Sequence, residues 1–342
     1  MPDAVLAYII RRLIGAVILL FVISAVTFAI FFLVPRMAGF TADDLASRYV
    51  GKAAGQEQIH QAAVGLGFTD PVYVQYGRFI SGIFAGADYN TGPTIEHCPA
   101  PCFGYSFLTH NPVWPDLLDR IPTTLSLAIG AAVLWMVFGV STGVASALKR
   151  GSFIDRASMT VALAGVSLPI FFTGLLSLSI FSYGLGIFPG GGSHTMTFTQ
   201  DPLMWFETLV LPWVTLAFLY AAGYARLTRA TMLETMNEDF IRTARAKGLP
   251  ERTVVVKHGL RSVMTPILTV FGLDLGLLLG GAVLTESTFS IQGIGKYAID
   301  AIVQSDLPKV LGVTLVGSLF IVLANLVVDL LYAVVDPRVR FS

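Results

Sequence analysis

Six apolar runs, each long enough to cross a bilayer as a helix, decide what this chain can fold into. They are Leu13–Val34, Ile121–Leu148, Ala157 to about Phe188, Thr208–Ala225, Ser262–Thr285 and Val310–Val335. A spanning helix needs about 20 predominantly apolar residues. The first four runs contain no Asp, Glu, Lys or Arg; the fifth contains only Asp274 and the sixth only Asp329. Stretches such as AVILLFVISAV do not alternate as the strands of a membrane barrel must. The prediction is an all-α polytopic membrane protein with six transmembrane helices. With 13% charged residues and a mean hydropathy of +0.72, a soluble domain is excluded. The first run exceeds the roughly 7–15 apolar residues of a secretory signal, and the VPRMAGF after it offers no small-residue cleavage site, so it is expected to stay as an anchor.

Charge placement orients these spans. Lys plus Arg and Asp plus Glu both number 22, but with both termini inside, 15 of the 22 basic residues fall on cytoplasmic segments. Eight of them, from Arg226 to Arg261, sit in one loop. The expected organisation is a cytoplasmic N-terminus (1–12), a first span (13–34), an extracytoplasmic cap (35–120), a five-helix core (121–335) with a cytoplasmic loop at about 235–261, and a cytoplasmic tail (336–342).

Within the cap, DPVYVQYGRFISGIF places Val72, Tyr76, Phe79, Ile80 and Ile83 on one side of a helix. An amphipathic helix along the membrane surface is expected there, against the alternative of a partly ordered loop. Cys98 and Cys102 are the only cysteines and lie together in EHCPAPC. Outside the cytoplasm a local disulfide closing the Pro-Ala-Pro turn is the leading reading. A metal site with His97 or His110 lacks zinc-ligand spacing, so no metal is expected; unpaired thiols are the remaining alternative.

Two motifs mislead. Gly139 to Gly143, GVSTG, matches the G-x-S-x-G pattern at Ser141, but a nucleophile elbow needs a strand-to-helix turn. Gly139 and Gly143 are better read as a helix-packing surface, and no catalytic residue is assigned. The phosphate-binding pattern G-x-x-x-x-G-K-[ST] is missing, so nucleotide energy is expected to come through another subunit. Nothing in the sequence points to nucleic acid.

The basic loop TMNEDFIRTARAKGLPERTVVVKHGLRSVMTP carries helix signals of its own: Thr235 and Glu238 as a capping box, Gly248 after the last turn, and Pro250 as a stop. Phe240, Ile241 and Ala244 share a face, with Arg242, Arg245 and Lys247 spread around it. An apolar patch with basic flanks suits insertion into a partner's cleft; a basic loop held on anionic lipid is the simpler alternative.

The loop resembles the coupling loop of ABC import permeases. Against that family's EAA-x3-G-x9-I-x-L-P pattern, Ala244, Gly248 and Leu260 agree, while Arg242, Thr243, His258 and Arg261 depart from it. The dipeptide and oligopeptide branch is similar along nearly the whole chain: YIIRRLIGAVILLFVISAVTFAIFFLVP, GLGFTDPVYVQYGRF, IPTTLSLAI, FIRTARAKGLPERTVVVKHGLRSVMTPILT, GGAVLTESTFSIQGIG and NLVVDLLYAVVDPRVR occur in the family's order. The segment ADYNTGPTIEHCPAPCF, with both cysteines, is longer than the family's link. The resemblance implies the type I importer permease fold and a peptide importer in a bacterial cytoplasmic (inner) membrane. It implies a second homologous permease, two ATPase subunits or one fused ATPase that bind ATP and Mg, and an extracytoplasmic peptide-binding protein. This chain would hold no cofactor of its own and would couple to the ATPase through Phe240, Ile241, Arg242, Ala244, Arg245, Gly248, Leu249 and Leu260. Nickel import is the nearest rival. An ion-coupled secondary transporter would need a self-contained relay, and two isolated intramembrane acids do not form one.

Of those acids, Asp274 lies two positions from Gly272 and Gly276, so it points about 200° away from the packing stripe Gly272, Gly276, Gly280. A carboxylate at that depth faces a cavity or a partner; it either lines the translocation path, meeting a peptide ammonium, or bonds a neighbouring helix. Asp329 is read as structural.

Overall fold

A computed structural model describes residues 2–50, 55–90, 95–192, 198–279 and 282–335. Gly280, the tail with Arg338 and Arg340, and the side chain of Asp329 lie outside the described portion. The chain is helical almost throughout, and the described strands are confined to two short ribbons.

Helix α1 (Pro2–Phe28) runs on through a π-helical turn (Ala29–Leu33) and a final turn (Val34–Met37). The segment to the next span holds α2 (Ala42–Val50), α3 (Gln56–Gly65) and α4 (Val72–Ala85), then an antiparallel ribbon of β1 (Ala87–Asn90) and β2 (Ile95–Cys98), in which Ala87 pairs with Cys98. A second ribbon pairs β3 (Tyr105–Ser106) with β4 (Asn111–Pro112). This segment is the cap, and it has a core of its own. Leu45, Tyr49, Ala63, Phe68 and Tyr105 bury together with Phe28 and Phe32 of α1. Part of the apolar face expected to lie on the membrane surface is used otherwise: Val72, Tyr76 and Phe79 pack into this core.

The remaining spans are α5 (Val113–Leu148), α8 (Pro202–Thr235), α10 (Glu251–Leu279, including a π-helical turn at Val254–Leu260) and α13 (Leu307–Val335). Between α5 and α8 lie α6 (Phe153–Ser167) and α7 (Ile170–Ser177, extended by a π-helical turn to Gly184). The third predicted span is therefore a pair bent by 104°. The break falls at Pro169, which disfavours the helical conformation at the residue before it, and Leu168 is extended at φ −91°, ψ 131°. The fifth span also differs: α10 ends at Leu279, and a separate short helix, α11 (Val283–Thr288), follows before α12 (Ile294–Gln304). Among the described residues five helices are long and apolar enough to cross a membrane, six if the bent pair is one span.

Association of these helices rests on close approach rather than on removing apolar surface from water, since acyl chains are as apolar as Leu. Gly139 and Gly143 of α5 show how close. A Cβ at Gly139 would lie 2.8 Å from the Tyr224 Cβ, and one at Gly143 2.5 Å from the Thr228 Cβ. Ser141 is exposed on another side of α5. The seam continues through Trp135, Leu127, Leu216, Met232 and Ile267, all buried. At one end of the seam the guanidinium of Arg229 on α8 grips both carboxylate oxygens of Asp155 on α6, at 2.7 and 2.9 Å. Ser146 and the Gly151 amide donate to the same carboxylate, which ties the α5–α6 turn to α8.

Candidate functional site

The loop between α8 and α10 folds into one short helix, α9 (Asp239–Ala246). Its start differs from the expected capping box. Thr235 is the last residue of α8, and Glu238 is the N-cap, extended and without a side-chain cap. Its end is a Schellman turn: Gly248 adopts φ +74°, its N–H donates to the Arg245 carbonyl at 2.9 Å, and the Leu249 N–H reaches back to Ala244 at 3.4 Å. Glycine suits that position because the left-handed region is costly for residues with a Cβ.

The candidate coupling residues separate into two sets. Ile241 and Ala244 are buried against Val254 of α10, with Met236 alongside. They fasten α9 to its own bundle, which corrects the expectation that the whole apolar face is free for a partner's cleft. Phe240 is 46% exposed and Leu249 37% exposed, and Arg242 is exposed beside Asp239. Arg245 spans the Gly248 turn to make two bonds with Glu251, at 2.7 and 3.1 Å. Leu260 is half-buried in the π-helical turn of α10. Beside it Gly259 lets α8 come near; a Cβ there would lie 3.0 Å from the Met232 Cε.

Asp274, five residues before the end of α10 at Leu279, accepts a 2.9 Å hydrogen bond from the hydroxyl of Tyr224 on α8. The opposite side of α10 faces α13, where a Cβ on Gly276 would sit 3.6 Å from that of Ala324. Asp274 remains half-buried. Close by, Tyr220 stacks on Trp135 with ring centroids 4.7 Å apart.

Sequence reasoning missed Glu286, which is 0% exposed. Its Oε1 accepts from the Thr124 hydroxyl of α5 at 2.8 Å, and its Oε2 from the backbone N–H of Lys296 at 2.9 Å. Thr124 in turn accepts from the Ile294 N–H at 2.9 Å. One carboxylate thus holds α11, the first turn of α12 and α5 together. Gly293 makes room for it, since a Cβ there would fall 2.2 Å from the Glu286 Cδ. Burial pushes this carboxyl above its ordinary range, opposed by the Lys296 amide and the Thr124 hydroxyl. One sequence signal was available: Glu286 is the only charged residue between Asp274 and Lys296.

Cys98, the last residue of β2, and Cys102 are bonded, with Cα atoms 5.7 Å apart, and both are buried. A second polar cluster secures the cap to the spans. Asp306 accepts from the Ser106 hydroxyl and pairs with the Lys309 ammonium at 3.3 Å. Tyr297, between Arg120 and Lys309, donates to Asp116 at 3.1 Å.

Six apolar crossings, a cap inserted after the first, and an anchored helix projecting from the loop before the fifth define a polytopic membrane protein of the transport-permease class. Residues 121–341 match the family described as binding-protein-dependent transport system inner membrane component, and residues 5–128 match its N-terminal family. The chain belongs to this family. It is 38% identical to the di/tripeptide transport system permease protein DppB of Pseudomonas aeruginosa (strain UCBPP-PA14), over 98% of this chain and 99% of that protein. It is 35% identical to the glutathione transport system permease protein GsiC of Escherichia coli (strain K12), over 98% of this chain and all of that protein. Among solved structures, a chain of the MetNI methionine ABC transporter in an inward-facing conformation aligns at TM-score 0.48 and 18% identity, covering 64% of this chain and 96% of that one.

Proposed function

We propose that this chain is one permease subunit of an ATP-driven peptide importer. It forms half of the translocation path and passes ATPase movement to that path through α9. The observation that carries this reading is the division of α9: Ile241 and Ala244 anchor it to the bundle while Phe240, Arg242 and Leu249 stay exposed. A helix fixed on one side and open on the other is a lever, able to receive a push and deliver it to α8 and α10 through Val254 and Met236. Relatives named for di/tripeptide and glutathione transport, aligned over 98% of the chain, support peptides as the cargo.

In this assembly a second permease of the same kind completes the path. Two ATPase subunits, or one fused ATPase, bind ATP and Mg beneath α9, and an extracytoplasmic peptide-binding protein delivers cargo at the cap. Both termini lie in the cytoplasm of a bacterial inner membrane, as the distribution of basic residues supports. No bond is made or broken in this chain. Asp274 lines the path: a half-buried carboxylate with one tyrosine partner retains acceptor capacity for a peptide ammonium. Asp274→Asn keeps an acceptor for Tyr224 and removes the charge, so uptake of peptides with a free amino terminus is expected to fall while N-acetylated peptides are unaffected. Unchanged rate and range for both would remove Asp274 from the path.

The reading is tested by reconstituting the chain with its partner permease, ATPase and binding protein in liposomes and following labelled di- to pentapeptides beside nickel. ATP-dependent peptide accumulation is expected; nickel accumulation alone, or uptake indifferent to ATP, would overturn it.

A further inference from the structure

Helix α4 carries more apolar surface than its packing uses. At 100° per residue, Val72, Tyr76 and Phe79 form the face packed against α1, and Gln75 and Gly82 are buried about 80° round from it, next to Phe79. Beside Tyr76 runs a further stripe, Tyr73, Gly77, Ile80 and Phe84, within an arc of about 60°. Tyr73 is 77% exposed and Phe84 80% exposed. The one charged residue of α4, Arg78, lies away from this stripe and pairs with Asp70 at 2.9 Å.

Depth along α1 says what covers the stripe. The guanidinium of Arg36 bonds the carbonyls of Phe68 and Asp70, just ahead of α4, at the end of the first span. Six residues after Asp70, the Tyr76 hydroxyl is 2.9 Å from that of Ser24, and its ring meets Phe21 edge-on at 6.0 Å. Ser24 precedes Arg36 by twelve residues, about 18 Å of helix rise at 1.5 Å per residue. Tyr76 therefore reaches α1 at a level where that helix presents Phe21, Val22 and Val26 outward, while Phe79, further along α4, meets Phe28 nearer the end of the span, so α4 crosses α1 rather than running down it. Its stripe is continuous with a surface that faces acyl chains.

We propose that Tyr73, Ile80 and Phe84 of α4 insert into the acyl region of the leaflet flanking the C-terminal half of α1, so that the cap is anchored in lipid by its own helix. Tyrosine at one end of the stripe suits the polar boundary of the bilayer, and phenylalanine at the other adds apolar area with no polar group to satisfy. The cap then keeps a fixed tilt against the bilayer independently of any partner. This rests on α1 being a span and does not depend on the cargo.

The test uses the assembled complex in phosphatidylcholine and phosphatidylglycerol liposomes, with a nitroxide on Tyr73→Cys or Phe84→Cys; the native cysteines are occupied by their own bond. Collisions with oxygen, which partitions into lipid, are compared with those of a water-soluble paramagnetic chelate. References are Glu57→Cys on the exposed side of α3 and Val22→Cys on α1. At Tyr73→Cys and Phe84→Cys the oxygen-to-chelate ratio is expected to be several-fold above that at position 57 and near that at position 22. A ratio equal to position 57 would place the stripe in water. Low collision with both reagents would place it under protein. Either overturns the proposal, and a water-like signal at position 22 would overturn the span itself, leaving peptide transport to be judged separately.

Discussion

The two ends of α10 are held in different ways. At Leu279 the chain enters a hairpin, α11 and α12, closed by Glu286 with Thr124 and the Lys296 amide, all within the interior. At Glu251 it meets α9, which touches the bundle through the small apolar cluster of Ile241, Ala244 and Val254, plus one exposed Arg245–Glu251 pair. A buried carboxylate with directional donors fixes one geometry, because every alternative leaves polar groups unpaired in a low-dielectric site. Three apolar side chains tolerate sliding and tilting. The Glu286 end of α10 is accordingly the fixed point, and the α9 end is the part that can be displaced at the cost of one small apolar cluster and an exposed ion pair.

The largest effect is expected at the fixed point. Glu286→Ala leaves the Thr124 hydroxyl proton and the Lys296 amide without an acceptor, a cost of about 2–5 kcal/mol, and should lower the thermal unfolding midpoint of the purified complex and abolish uptake. The same group gives a pH signature. Its folded-state pKa is raised by burial, so as pH rises above the ordinary carboxyl value the unfolded chain loses its proton first. The unfolded state then binds fewer protons than the native one, and stability falls with rising pH until the buried group has also ionised. Glu286→Gln removes that slope. A midpoint-against-pH curve identical to wild type would mean that Glu286 does not titrate as an isolated buried acid.

Next is Ile241→Asp, which puts a carboxylate where side-chain exposure is 0%. The cost of burying it unpaired is avoided by releasing α9 alone, so the global midpoint should change little. Amide exchange across residues 239–249 should accelerate by orders of magnitude. Global unfolding instead would show that the α9 end is as tightly built as the Glu286 end and would break the contrast.

Gly248→Glu is smaller still. A Cβ there meets open space, so the penalty is the positive φ of +74° alone, about 1–2 kcal/mol. The last turn of α9 should fray and the Arg245–Glu251 pair loosen, while the subunit remains inserted. ATP hydrolysis by the assembled complex is expected to continue with little uptake. Wild-type uptake would refute the lever assignment.

How much of this could be read in advance varied with the physics involved. An isolated charge in a long apolar run stands out, so a bond from Asp274 to a neighbouring helix was legible as one of two readings, and the Gly139 and Gly143 seam followed from small residues one turn apart. The bend at Pro169 was present as a proline in an otherwise continuous run, but whether such a run bends or kinks depends on what packs around it. Glu286 was hidden because a lone acid in a short polar loop is ordinarily solvated; only folding of the hairpin brings Thr124, 162 residues earlier, to its side. The division within α9 was equally invisible, since periodicity places Phe240, Ile241 and Ala244 on one face and cannot say that the bundle claims only part of it.

That division makes Phe240→Asp the sharpest test of the α9 end, although its effect on the fold is the least. Phe240 is 46% exposed and lies outside the cluster that anchors α9, so its replacement should leave the midpoint and the exchange pattern of residues 239–249 near wild type. If α9 meets an ATPase through its free side, Phe240 is the largest apolar group it can bury there, worth roughly 1.5–3 kcal/mol when fully covered. Losing it while adding a negative charge beside Arg242 should weaken co-purification of the ATPase and reduce uptake together, with the isolated subunit unaltered. Loss of uptake with full ATPase retention would move the contact toward Leu249 and Arg242 within the same face. Wild-type behaviour in both assays would mean that α9 engages its partner through backbone and charge, leaving Phe240 for the lipid surface.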